Sequence, residues 1–379
     1  MAIGDFNKKK QLDVESVTGT PTISRTVCLK ITSGDDSTTG TGDIVLDWTN
    51  IASKSDIGVY DENDNLLNYY FESFDATAKT AVIWVYRAWD RDGTTQLQVA
   101  YGDGPSDQSV AASDVFDNET DLKAGYLFNE SSGDLLDVTS NNNDGTVYGA
   151  ARKAPGIVGG AYSFDGSDDF VDTGFAFTGT VSFSLWFYWD LFESSTTRDF
   201  IGNRKSNPYY NRAFGISNGE YRLICYDYSA GIKGITTNLS NSVAPSSGQT
   251  WIHVVGVIED NGDGTANFTI YENGAEVAST IDDLYQTDAY SFYIGAYNME
   301  GSANKFFNGD IDNFYIHNAL ITSDEISAIY DATKSSPTFF SQQAAESTSG
   351  TTWNIGGVSG VGNVSGVDNP SEISGVSMS

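Results

Sequence analysis

The run EDNGDGT (259–265) separates two segments in which apolar and polar residues alternate, and no feature restricts the fold more. Period-two alternation on both sides of a Gly/Asp/Asn turn specifies a β-hairpin. The same grammar recurs along the chain. Ile23, Val27, Leu29 and Ile31 alternate with Ser24, Thr26, Cys28 and Lys30, and Val82, Trp84 and Tyr86 alternate again, as do Leu97, Val99 and Tyr101. The cluster DENDN (61–65) is a turn between two strand-like runs. Only one stretch breaks the pattern. Thr322 and Glu325 fit a capping box, and Ile326, Ile329 and Tyr330 form a helical stripe directly after a strand carrying Ile311, Phe314 and Ile316. The chain is therefore expected to be all-β, with one capped helix near its end.

Length suggests two or three units. Residues 1–20 are polar and aperiodic and read as an arm. Residues 21–116 read as a small antiparallel β-sandwich, whose end, 102–114, reads as a polar linker. Residues 117–333 hold enough strands for a two-sheet jelly roll. Residues 334–379 repeat Ser-Gly-Val at 359–361, 365–367 and 374–376 and show no core-forming pattern, so they are expected to be an extended tail docked on an assembly.

Acidic residues number 51 against 20 Lys and Arg, a formal charge of −31 spread through the loops rather than gathered in a block. A surface of this kind repels itself in dilute salt and is tolerated in concentrated salt. It implies a salt-loving source and argues against nucleic-acid binding, since the one basic run is Lys8-Lys9-Lys10. No run of 18 apolar residues is present, so no membrane insertion is expected. The opening MAIGDFNKKKQLD lacks the apolar stretch of a signal peptide, which points to synthesis in the cytoplasm. Cys28 and Cys225 fall in different units and are expected to be buried free thiols.

The second unit resembles the laminin-G-like, concanavalin A-like jelly roll of the lectin/glucanase superfamily. The segments that carry the likeness occur in order: GYLFNESSGDLLDVTSNNNDGTVYG, VGGAYSFDGSDDFVDTG, FSLWFYW, WIHVVGVI, FTIYENGAEVAS, FYIGAY, FNGDIDNFYIHNALITSDEI and IYDA. Residues 21–116 resemble a β-sandwich domain of unknown function that precedes such jelly rolls in microbial surface proteins; DIGVYDENDNLLNYYFESFDATAKTAVIWV and LQVAYGDG carry this. The first resemblance implies that the helix covers one end of the sandwich. It also implies a structural Ca²⁺ held by Asp312 together with carbonyls near Phe128–Asn129 and Asp165–Gly166. Ca²⁺ takes six to eight oxygen ligands, which fits such a set. Asp310 is expected to be a surface charge.

The loop GNRKSNPYYNR (202–212) gathers Arg204, Lys205, Tyr209, Tyr210 and Arg212 in an otherwise acidic chain, and YNMEGSANKFF (297–307), beginning at Tyr297, is a second loop of interest. Tyr faces stack on sugars and Arg binds carboxylates, so these residues are candidates for a glycan or partner surface, beside the plainer reading of loops packed on their own domain. Two histidines, His253 and His317, and no G-x-S-x-G make a Ser-His-Asp hydrolase unexpected. Asp168-Asp169 and Asp282-Asp283 are adjacent pairs that strand geometry points to opposite faces, unlike paired glycosidase acids. The expectation is a non-enzymatic, oligomeric virion structural or decoration protein with a lectin-like domain for a host-surface glycan or glycoprotein. A cellular surface carbohydrate-binding protein is the alternative, followed by a polysaccharide hydrolase or lyase.

Overall fold

The alternation at residues 23–31 becomes one long strand, Thr22–Ser33, paired along its length with Thr80–Asp90. The computed structural model describes residues 2–153, 155–176, 178–189, 196–206, 209–227, 231–238, 250–284 and 290–348. Ile44–Leu46 and Tyr69–Asp75 flank the long pair to give a four-stranded sheet. A second sheet runs in the order Gly40–Thr41, Phe340–Gln342, Lys8–Val14, Gln96–Tyr101, Ile57–Asp61. Val27, Leu29, Ile83, Val85 and Trp89 of the first sheet meet Leu12, Val14, Val59, Leu97 and Val99 of the second in one core.

The described residues 8–14 and 339–347 therefore belong to the first sandwich, contrary to the reading of 1–20 as an arm and of the start of 334–379 as a tail. Lys8–Val14 is an interior strand, hydrogen-bonded to Gln96–Tyr101 on one side and to Phe340–Gln342 on the other. The three lysines hid it. Lys10 is fully buried, and its ammonium is held by the Thr38 and Val45 carbonyls and Gln342 Oε1, three acceptors for three N–H donors. Phe339 and Phe340, expected in a tail, sit edge-on to Trp89 at 5.7 and 5.5 Å between centroids. The Ser-Gly-Val repeats lie outside the described residues. The expected linker also acquires structure: Ala112–Phe116 is a short helix with Val115 and Phe116 buried.

The second unit stacks two sheets. One runs Ala151–Lys153, Ala161–Asp165, Asn308–His317, Val181–Trp189, Ile252–Asp260, Thr265–Glu272, Ala275–Asp283, with Leu122–Tyr126 also paired to Asn308–His317. The other runs Thr146–Tyr148, Phe170–Asp172, Tyr293–Ile294, Thr197–Ser206, Tyr209–Ser217, Glu220–Asp227, Gly231–Asn238. Phe183, Leu185, Phe187, Phe200, Phe214, Leu223, Phe268, Ile311, Phe314 and Ile316 fill the space between them. EDNGDGT is the hairpin its sequence specifies, joining Ile252–Asp260 to Thr265–Glu272. This is the concanavalin A-like jelly-roll architecture. Both cysteines are free and buried, Cys28 in the first unit and Cys225 in the core of the second.

The helix Ser323–Thr333 has its capping box: Thr322 Oγ1 accepts from the Glu325 N–H, and the Glu325 carboxylate accepts from the Thr322 N–H. It does more than cover an end. Ile326 packs with Val255, Val257 and Tyr271 on the outer face of the Val181–Trp189 sheet, and Tyr330 stacks on Trp186 at 5.8 Å. Ala328 and Ala332 enter the core of the first sandwich. The helix is thus a wedge between the two units, with small residues where it meets the first. Beside it an apolar seam joins the units through Cys28, Trp84, Phe116, Leu127, Val158 and Tyr315.

Candidate functional site

Strict alternation cannot bury Ile311, Phe314 and Ile316 together, because 311 and 314 have opposite parity. A bulge resolves this. The register against Val181–Trp189 slips between the pairs at Ser184 and Trp186, and Asn313 takes a φ of 49°. Asp312 is left on the outer face of its sheet, fully buried in the seam. Its Oδ2 accepts from the Val158 N–H at 2.9 Å and its Oδ1 from Asn313 Nδ2 at 2.9 Å. Burial pushes its carboxyl well above the ordinary carboxylate range, and the nearby Glu72 charge adds to this. Asp310, expected at the surface, is also buried.

The calcium set implied by the resemblance divides in two. A Cβ added at Gly156 would fall within 3.0 Å of the Gly160 carbonyl and Asp312 Oδ2. One at Gly160 would meet the Phe128 carbonyl and Asn129 Oδ1, and one at Gly159 would meet Glu72 Oε1 and Asn129 Oδ1. At these three glycines side-chain and carbonyl oxygens gather into a cradle, in which the Val158 and Gly160 N–H groups and Asn129 Nδ2 also take part, and its oxygens are the donor chemistry of a hard cation. Asp312, Asn129 and the Phe128 and Gly160 carbonyls would hold Ca²⁺ there, and the ion would supply the positive charge the buried carboxylate lacks. Asp165 and Gly166 do not take part. Asp165 pairs with Asn308, four strand positions from Asp312 and so about 13 Å away. The Gly166 carbonyl accepts from Arg198, and the Asp165 carboxylate clusters with Asp168 and Asp169.

The loop candidates also separate. Arg212 is 5% exposed and donates to the Gly179 carbonyl, because its strand position pairs with Cys225 of the core and turns it inward. Tyr297 is 2% exposed and packs with Ala213 and Ile224 beneath Lys305, whose ammonium lies 4.3 Å from its ring. Neither offers a binding surface. Arg204 is partly exposed and reaches Met299 Sδ at 3.3 Å. The side chains of Lys205, Tyr209 and Tyr210 lie outside the described residues.

Sequence reasoning missed an aromatic ladder. On the outer face of the second sheet Tyr148 stacks on Phe170 at 4.4 Å and 10°, and Phe170 stacks on Tyr293 at 4.6 Å and 23°. Val147, Val171 and Ile294, their neighbours in sequence, turn inward to the core. Thr146–Tyr148 ends the sheet, and Tyr148 is 46% exposed, the open end of the stack. Asp172 shares the face, opposite Tyr293. The available signal was alternation in GTVYG and DDFVD, which placed each aromatic outward without showing that they adjoin.

Both histidines are structural. His317 touches Arg25 Nη1 at 3.4 Å within a buried group that also holds Glu119, Asp121 and Glu325. Ser184 Oγ and His253 Nε2 are 3.0 Å apart, a serine–histidine pair, but both residues are sealed under Trp186 and Tyr330. Burial lowers His253 to about 3. Between pH 6.5 and 3 the unfolded chain binds a proton that the folded chain refuses, so stability falls as pH falls through that window. Each pH unit below about 6.5 costs roughly 1.4 kcal/mol. Urea titrations from pH 7 to pH 4 should show that slope in the native chain and lose it in His253→Gln; equal slopes would refute the assignment.

Residues 164–327 match the profile of the concanavalin A-like lectin/glucanases superfamily, and residues 53–142 match DUF2341, a domain of unknown function. No curated protein matches the chain. Similar solved structures include domain 4 of AbnA, a GH43 extracellular arabinanase from Geobacillus stearothermophilus, in complex with arabinotriose. That match has 20% identity and a TM-score of 0.43, covering 55% of this chain and 98% of that one. The botulinum neurotoxin type G receptor binding domain (13% identity, TM-score 0.41) covers 55% of this chain and 51% of its own. The binding domain of Paraclostridial mosquitocidal protein 1 (18%, 0.42) covers 56% and 52%. The chain spans about half the length of these toxin domains.

Proposed function

We propose, from the concanavalin A-like lectin/glucanase domain that this chain carries, that it is a non-enzymatic carbohydrate-binding protein whose sugar rests on the open end of the Tyr148–Phe170–Tyr293 ladder. One observation carries the reading: a three-ring stack ends at the sheet edge with one ring half in water. Leaving an aromatic surface exposed forgoes its burial, and the C–H face of a pyranose or furanose supplies matching apolar area. Asp172 and the tyrosine hydroxyls offer hydrogen bonds to sugar hydroxyls. The absence of enzymatic activity is part of the proposal. It is supported by the sealing of the Ser184–His253 pair away from any substrate.

Calorimetric titration with oligosaccharides is the test. Tyr148→Ala should weaken binding about tenfold, or roughly 1.4 kcal/mol, while leaving the melt unchanged. Binding unaltered by Tyr148→Ala, or release of reducing sugar from a polysaccharide, would sink the reading. The finer part of the proposal is that the protein decorates the virion of a salt-loving host as an oligomer, exposed at the particle surface. The dispersed acidic charge supports the saline setting. Co-purification with particles would separate that role from one on a cell surface.

A further inference from the structure

The oxygen-lined glycine cradle at Asp312 is not confined to the jelly roll. Glu72 reaches it from the first sandwich, on the strand Tyr69–Asp75. Its Oε1 accepts from Asn129 Nδ2 at 2.8 Å, and Asn129 Oδ1 accepts from the Gly160 N–H at 2.7 Å. The other carboxylate oxygen of Glu72 accepts from Trp84 Nε1, a residue of the seam. Gly159, the one cradle glycine with positive φ (65°), is the position where a Cβ would collide with Glu72 Oε1. Backbone conformation and close approach thus both require glycine there.

Among the described residues neither Glu72 nor Asp312 forms an ion pair. Lys30, the cation whose field reaches both, donates its three N–H groups to the carbonyls of Ile157, Thr333 and Lys334. Asn129 is exposed, so the cradle opens to solvent at one edge.

We infer that Glu72 completes this cation site across the seam, so that a divalent cation held by Asp312, Asn129 and the Phe128 and Gly160 carbonyls also ties the first sandwich to the jelly roll. A site built this way is whole only when the two units are docked. Binding to the docked form alone raises its apparent stability in proportion to the logarithm of free cation.

Calcium is the probe, and the full chain is the sample. The native chain, stripped with chelator, should gain melting temperature as Ca²⁺ is added. Its tryptophan emission should shift in step, since Trp84 shares a hydrogen bond with Glu72. Glu72→Gln keeps the side-chain size and removes the charge. It should leave the calcium-free melt unchanged or higher and require at least tenfold more Ca²⁺ for the same gain. Asp312→Asn should abolish the gain. If Glu72→Gln responds to calcium as the native chain does, the ion is held by the jelly roll alone and the inference fails. It fails equally if calcium moves neither the melt nor the emission of the native chain. Sugar binding at Tyr148 is read separately and does not bear on either outcome.

Discussion

Arg25→Ala lowers the stability of the chain by about 3–5 kcal/mol, the cost of stranding buried charges after their partner is removed. Arg25 is 4% exposed and lies in the first sandwich, yet its carboxylate partners come from the start of the jelly roll and from the wedge helix. Nη1 is 3.1 Å from Glu119 and 2.8 Å from Asp121, and Nε is 3.0 Å from Glu325. Burial opposes ionisation of Asp121, but hydrogen bonds from His317 and Arg25 outweigh it and hold that carboxyl below its ordinary range. Such a group contributes stability above its unfolded pKa, near 3.9, and loses it as pH falls further. Without Arg25, three acids face one another with the His317 imidazole alone beside them. Urea unfolding at pH 7 should therefore show the midpoint drop, with the two units separating into distinct transitions. A variant that unfolds with the native midpoint would mean the group contributes nothing to docking.

Ending the chain after Lys334 unfolds the first sandwich, whereas ending it after Thr348 keeps every contact described for its closing strands. Phe339 is fully buried and Phe340 is 7% exposed. Removing one buried Phe side chain typically costs about 3–5 kcal/mol, and a domain holds only about 5–15 kcal/mol in total. The truncation also removes Gln342, whose Oε1 accepts from both Lys10 Nζ and the Val45 N–H and whose Nε2 donates to the Asp43 carbonyl. Lys10 would then be a buried ammonium short of an acceptor. Amide hydrogen exchange is the measurement. Strand Gln96–Tyr101 should lose protection in the shorter chain while Val181–Trp189 keeps it. Equal protection in both chains would show that the first sandwich stands without its last strands.

Local grammar explains what could be read in advance. Alternation and turn chemistry are short-range properties, so the hairpin at 259–265, the strand at 23–31 and the cap at Thr322 were legible. What escaped depended on partners far away in sequence. Lys8–Val14 looks like a polar arm until Phe340–Gln342 and Gln96–Tyr101 are placed beside it. Arg212 looked like a loop residue because nothing in its neighbourhood reveals that Cys225, opposite it, faces the core. Asp312 was recognisable as a costly carboxylate in an apolar strand. The bulge at Asn313 that turns it toward another domain, and toward Glu72, was not. Tyr148, Phe170 and Tyr293 adjoin only after three strands align.

The closure of the first sandwich by Phe340–Gln342 imposes a schedule on the ribosome. Roughly 240 residues separate Tyr101 from that strand, and translation proceeds at about 5–20 residues per second. The first domain to emerge therefore waits on the order of 10–50 s with the edge of Lys8–Val14 bare, while the jelly roll is made. An unpaired edge is a template for other chains. The run Lys8-Lys9-Lys10 lies on that edge, where lysines disfavour pairing with a second nascent copy. One of them, Lys10, receives the third acceptor for its ammonium only when Gln342 arrives.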